Sequence, residues 1–181
     1  MSKIEESLKK APIIKKGEYN YVIHPITDGV PYIEPSLLGE VVDWIAGEMP
    51  SCSRIVTMEA MGIPIAAALS VKTNMPFTII RKRSYGLPGE VSVKQVTGYS
   101  SSSLFINGLG KGDEIVIVDD VLSTGGTLTA VVSALKSMEV DIKGIFIAVN
   151  KGNLEEIRKK IGMNINTLVN IEVNGKVRIK D

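Results

Sequence analysis

Apolar positions change their period several times along the chain, and each change marks an element. Ile4 and Leu8, four apart among Lys and Glu, predict a short amphipathic helix over residues 2–10, which Pro12 stops. Alternation from Tyr19 to Ile26 predicts a strand, and Thr27-Asp28-Gly29 a turn. Pro35-Ser36 opens a helix to about Met49, with Leu37, Leu38, Val41, Val42 and Ile45 on one face. Trp44 anchors that face or a subunit contact. Strands and helices then alternate: strand 54–58, helix 63–72, strand 77–81, strand 115–119, helix 127–138, strand 145–149 and helix 154–161. Two more alternating runs, 167–173 and 176–179, flank Asn174-Gly175, a strong hairpin signal. This rhythm predicts an α/β protein with a mostly parallel sheet covered by helices on both sides.

Residues 83–112 break the rhythm, because the stretch is longer than a compact crossover needs. Val91, Val93 and Val96 alternate imperfectly before Gly98-Tyr99 and four serines. The stretch reads as a partly ordered flap whose two arms can pair. A purely structural β-hairpin is the alternative. Long loops of this kind serve as lids or binding loops.

Composition narrows the class. A chain of 181 residues fits one domain, spanning 1–181, and 44% apolar residues can fill its core. A net charge of +1 gives no reason to expect nucleic acid or a membrane surface as partner. The runs Lys9-Lys10, Lys15-Lys16 and Arg158-Lys159-Lys160 read as solvated faces. Cys52 is the one cysteine, which excludes an internal disulfide framework and fits the reducing cytoplasm. It reads as a small packing side chain rather than a nucleophile. No run approaches the length of a membrane span, and the charged first ten residues do not read as a secretory signal.

The chemistry concentrates in Ile115-Val116-Ile117-Val118-Asp119-Asp120-Val121-Leu122-Ser123-Thr124-Gly125-Gly126-Thr127. Four β-branched residues in a row predict a strand buried on both faces, ended by two carboxylates. A Ser/Thr/Gly loop at a helix start offers free N–H groups and a helix dipole to a phosphate. Asp119 and Asp120 can accept hydrogen bonds from sugar hydroxyls or sit near Mg²⁺. Together they fit a sugar phosphate. A merely capped helix start would not require two glycines and three hydroxyls together. In an open α/β sheet ligands bind at the carboxyl ends of the strands, where loops 59–62, 81–103 and 119–127 should meet.

This segment resembles the phosphoribosyl-diphosphate signature of the type I phosphoribosyltransferases. The Ile55–Ile63 stretch, with Glu59-Ala60-Met61-Gly62, resembles the diphosphate loop of the adenine-phosphoribosyltransferase-like branch, which carries Arg where Met61 stands. Arg81-Lys82-Arg83-Ser84-Tyr85-Gly86-Leu87-Pro88-Gly89-Glu90 resembles that branch's Arg-Lys-Pro-Gly-Lys-Leu-Pro-Gly-Glu. With the Tyr21–Pro35 segment and Lys151-Gly152, nearly the whole chain is similar to the archaeal hypoxanthine/guanine phosphoribosyltransferases. The resemblance implies the type I phosphoribosyltransferase fold, with a flexible flap over about 83–112 and a small hood from about 12–35 and the C-terminal hairpin. It implies purine salvage: transfer of the phosphoribosyl group of 5-phosphoribosyl 1-diphosphate to hypoxanthine or guanine, with Mg²⁺ as cofactor, by a cytoplasmic homodimer.

Roles follow from the same resemblance. Ser123, Thr124, Gly125, Gly126 and Thr127 should wrap the 5′-phosphate. Asp119 and Asp120 should hold the ribose hydroxyls, and the metal through water or substrate; with Lys82 they form the catalytic set. Glu59, Ala60, Met61 and Gly62 should present backbone N–H groups to the diphosphate. Arg81 and Lys82 should neutralise it, with Arg83 a further candidate although the branch has proline there. Tyr99 should close over the donor, and Lys151 is a candidate for the purine O6. His24, the only histidine, is left outside the catalytic set. Adenine as the base, or a non-catalytic ligand sensor in transcriptional regulation, are the alternatives. An orotate-type enzyme fits Leu87-Pro88-Gly89-Glu90 less well.

Overall fold

A computed structural model describes residues 2–17, 19–97 and 100–180. In chain order the elements are α1 (Lys3–Lys10), β1 (Ile13–Lys16), β2 (Tyr19–Val22), α2 (Pro25–Asp28), α3 (Pro35–Glu48), β3 (Arg54–Met58), α4 (Gly62–Thr73) and β4 (Phe77–Ile80). There follow β5 (Val91–Thr97), β6 (Ser100–Ile106), β7 (Glu114–Leu122), α5 (Gly126–Ser137), β8 (Asp141–Asn150), α6 (Leu154–Ile161), β9 (Asn166–Val173) and β10 (Val177–Lys180). The main sheet has the order β10-β9-β8-β7-β3-β4 and is parallel except for β10.

Strand β7 lies inside this sheet, and its unbroken apolar run serves both faces. Ile115 and Ile117 join Val56, Ile145 and Ile147 under α5, α6 and the β5–β6 hairpin. Val116 and Val118 join Ile55, Phe146 and Ala148 under α1, α3 and α4. Each isoleucine, valine or phenylalanine so removed from water stabilises the fold by about 1.5–3 kcal/mol. Trp44 anchors α3, with its ring edge-on to Phe146 at 5.8 Å.

Four features depart from the sequence reading. First, β7 does not stop at the carboxylates: Asp119, Val121 and Leu122 pair with Ile147, Val149 and Asn150, so the acidic pair sits within the strand. Second, a strand not expected from the sequence, β1, pairs with β2 from Ile13↔Val22 to Lys16↔Tyr19. Third, the expected turn at 27–29 is a one-turn helix, α2. His24 caps it, with Nδ1 accepting from the Ile26 N–H at 3.2 Å, and Gly29 ends it in the left-handed region. The other His24 nitrogen lies 2.8 Å from Ser7 Oγ, which donates to the Ile4 carbonyl, so His24 fastens this segment to α1. Burial pushes its pKa down to about 4. Fourth, the C-terminal hairpin forms the outer edge of the main sheet, with α1 packed on β10.

The two arms of 83–112 do pair, from Val91↔Ile106 to Thr97↔Ser100. Val93, Leu104 and Ile106 are buried in the cluster beneath α5, so the hairpin's base is core. Residues 82–89 are exposed. Tyr99 lies outside the described residues.

Candidate active site

The loop after β7 is shaped by close packing. Gly125 adopts φ +73°, and a Cβ there would meet Ile157 side-chain carbons at 2.8 Å, so both conformation and space demand glycine. Among the described residues no side chain caps the start of α5, which leaves its first N–H groups for an anion. Ser123 to Thr127, with Asp119, line a cavity of about 130 Å³.

Asp119 and Thr127 also line a neighbouring cavity of about 340 Å³, together with Asp120, Glu59, Ala60 and Lys82. Three segments expected to meet therefore do meet here. Asp120 is 7% exposed, and its backbone N–H donates to Asp119 Oδ1 at 3.0 Å. Burial raises the pKa of both carboxyls, and the Asp119 charge raises that of Asp120 further. Among the described residues neither carboxylate has an ion-pair partner within 4.0 Å. Two desolvated carboxylates without a cation favour a ligand that brings hydroxyl donors or positive charge. Among the described residues no group of three or more His, Cys, Asp or Glu side chains converges, so a cation here would draw most of its ligands from substrate oxygens or water.

The start of α4 presses on this pair. A Cβ on Gly62 would lie 2.0 Å from Thr57 Oγ1 and 2.6 Å from Asp119 Oδ1. Met61, next to it, packs towards Gly29 at the end of α2, with its Cε 3.4 Å from where a Cβ there would stand. An apolar residue suits that place. The Glu59 carboxylate accepts from the Lys82 N–H at 3.0 Å and from Arg81 Nε at 2.9 Å. Those bonds, the Lys82 N–H first, hold its pKa below the usual range. Glu59 thus stitches the end of β3 to the end of β4, and Arg81 directs part of its charge inward to it. Lys82 lines the larger cavity, whereas Arg81 and Arg83 stand outside it, 5.9 and 6.0 Å from the Tyr85 ring.

One hub was not singled out from the sequence. Glu90 accepts from Ser84 Oγ at 2.5 Å, the Tyr85 N–H at 2.9 Å and Asn107 Nδ2 at 2.8 Å. These bonds, Ser84 first, bring its carboxyl down to about 2. A carboxylate after Leu-Pro-Gly was the available signal, but its Asn107 partner is seventeen residues away.

Lys151 follows β8 and lines a third cavity, a groove of about 1070 Å³ that also includes Tyr21, Ser123 and Asn170. Its Nζ lies 5.0 Å from the Tyr21 ring centre, and the Tyr21 hydroxyl donates to Asp28 Oδ1 at 3.2 Å. The Lys151 N–H donates to the Leu122 carbonyl at 2.9 Å. Lys151 is therefore beside the 123–127 loop rather than in the cavity of the carboxylates. Tyr21 was legible as part of an alternating run and of the Tyr21–Pro35 segment, without its place beside Lys151.

Comparison with known proteins agrees with this layout. A profile of the phosphoribosyl transferase domain matches residues 52–179. A hypoxanthine/guanine phosphoribosyltransferase of Methanocaldococcus infernus is 56% identical, covering 98% of this chain and 100% of the relative. One from Methanothermus fervidus is 49% identical, covering 99% and 97%. Among solved structures, adenine phosphoribosyltransferase from Thermoanaerobacter pseudethanolicus superposes with a TM-score of 0.76 at 23% identity, covering 92% of this chain and 99% of that one. At that identity the likeness speaks for the fold.

Proposed function

Because this chain belongs to the phosphoribosyl transferase family, we propose that it is a purine-salvage enzyme that converts hypoxanthine or guanine to IMP or GMP. A purine ring nitrogen bonds to ribose C1 of 5-phosphoribosyl 1-diphosphate. The C1–O bond to diphosphate breaks with its electron pair on oxygen, and the ring N–H proton is released. The observation that carries this reading is the meeting of an anion-binding loop and a buried carboxylate pair in adjoining cavities at the end of one strand, in a chain about half identical to hypoxanthine/guanine enzymes.

The reaction asks for alignment and charge stabilisation rather than a covalent nucleophile. Ser123, Thr124, Gly125, Gly126 and Thr127 bind the 5′-phosphate. Asp119 and Asp120 accept the ribose hydroxyls. Lys82 faces the leaving diphosphate, and Glu59-Ala60-Met61-Gly62 offer it backbone N–H groups. Arg81 and Arg83 add positive potential from outside. Asp119 and Asp120 would hold Mg²⁺ indirectly, and the ion would supply positive charge to the departing diphosphate. Lys151 donates to the purine O6. The adenine amino group offers no acceptor there and leaves that ammonium unpaired. The family resemblance further supports a cytoplasmic homodimer. Among the described residues no helix is long and apolar enough to cross a membrane.

The test is an assay of purified protein with Mg²⁺ and 5-phosphoribosyl 1-diphosphate, offering hypoxanthine, guanine and adenine in parallel. Nucleotide from the first two alone is expected. Adenine turnover alone would keep the mechanism and overturn the base assignment. Donor binding without turnover of any purine would favour the sensor.

A further inference from the structure

Asn150, the last residue of β8, is buried between Leu122 of β7 and Asn170 of β9, and it uses both ends of its amide. Its Oδ1 accepts from the Gly152 N–H at 3.0 Å. Its Nδ2 donates to Asn170 Oδ1 at 3.0 Å and reaches the Gly152 carbonyl at 3.4 Å. Asn170 Oδ1 accepts a second bond, from Thr167 Oγ1 at 3.1 Å. The loop carrying Lys151 is thus folded around one amide and bolted to β9. It is also pressed on the phosphate loop: a Cβ on Gly152 would lie 1.9 Å from the Ser123 carbonyl oxygen. With the Lys151 N–H bonded to Leu122, the two loops have no slack between them.

We propose that Asn150 and Asn170 are positioning residues that lock the Lys151 loop against the Ser123 loop, so that the purine end and the phosphate end of a nucleotide are gripped at one fixed separation. The inference rests on the base-reading role given to Lys151 above. Fixing both ends in advance lowers the ordering cost of binding a ligand that spans them.

The amide chemistry gives the test its signature. Among the described residues Asn170 acts only through an accepting oxygen, so Asn170→Asp keeps both accepted bonds, whereas Asn170→Leu loses them. Asn150 must also donate, so Asn150→Asp sets an acceptor against Asn170 Oδ1. Affinities for GMP, which spans both loops, and for ribose 5-phosphate, which reaches the phosphate loop, are measured by titration calorimetry alongside KM and kcat for guanine. Asn170→Leu and Asn150→Asp should weaken GMP roughly tenfold, the size of one lost buried hydrogen bond. They should weaken ribose 5-phosphate by less than about threefold and raise KM for guanine more than they lower kcat. Asn170→Asp should stay near wild type.

Equal losses for the two ligands, unchanged GMP affinity, or failure of Asn170→Asp to rescue would overturn the clamp. If Asn170→Leu does not fold, Asn150→Asp against Asn170→Asp decides alone. Wild-type protein that binds no GMP and turns over no purine would remove the functional reading itself, and the clamp with it.

Discussion

Two loops flank the proposed donor site, and they are built in opposite ways. The 123–127 loop is held by contact. Gly125 abuts Ile157 and Gly152 abuts Ser123, while beneath the adjoining carboxylates Gly62 abuts Asp119, and none has room for a methyl group. The 84–90 loop has no buried side chain and is held by hydrogen bonds and by Arg81 and Arg83 over the Tyr85 ring. Glu90 gathers it from the surface, and Tyr85 and Leu87 are 50% and 55% exposed. Contacts of the first kind cannot be traded for water without loss, whereas surface hydrogen bonds can be remade at little cost. The phosphate loop is therefore preorganised, and the 84–90 loop is free to adjust as the donor arrives.

The sharpest break of this contrast is chemical. Asp119→Asn should keep the fold and lower kcat/KM by about 10²–10³-fold, the usual effect of removing a preorganised electrostatic partner. Steady-state kinetics alongside thermal melting separates the two outcomes. Gly125→Val comes next, since it forces a branched side chain into a left-handed position already closed by Ile157. A displaced loop should cost about 10²-fold in kcat/KM, and the strain about 1–3 kcal/mol of stability, read from denaturant melts. On the other loop, Glu90→Gln should leave the melting temperature unchanged and lower kcat/KM only about threefold to tenfold. A stability loss equal to that of Gly125→Val would erase the distinction.

The smallest effect concerns His24, which belongs to neither loop. It stays neutral in the fold because burial lowers its pKa to about 4, whereas the unfolded chain binds a proton near 6.5. Its contribution is thus present above pH 6.5 and lost as pH falls towards 4. His24→Gln should flatten the dependence of the melting temperature on pH across that window.

Legibility followed the range of the interactions involved. The central strands declared themselves because both faces are apolar, and the phosphate loop because its residues are contiguous and its glycines have no substitute. Helix α2 was missed because its cap is a histidine held by Ser7, seventeen residues away. The run-on of β7 past Asp119 and Asp120 is set by its partner β8, which outweighs the low strand preference of aspartate. The Glu90 hub and the Asn150–Asn170 pair join residues seventeen and twenty apart, beyond any local pattern. Lys151 was legible through the Lys151-Gly152 pair, but its Tyr21 neighbour comes from the opposite end of the chain.

The seat of Trp44 gives the molecule a built-in optical gauge. It is the chain's single tryptophan, and its indole meets Phe146, four residues before Asn150 on the same strand. Emission excited at the indole band thus reports how α3 sits on β8 and is indifferent to the exposed loop around Glu90. A red shift would mark the unseating of that helix, while rearrangement of the 84–90 loop would pass without colour.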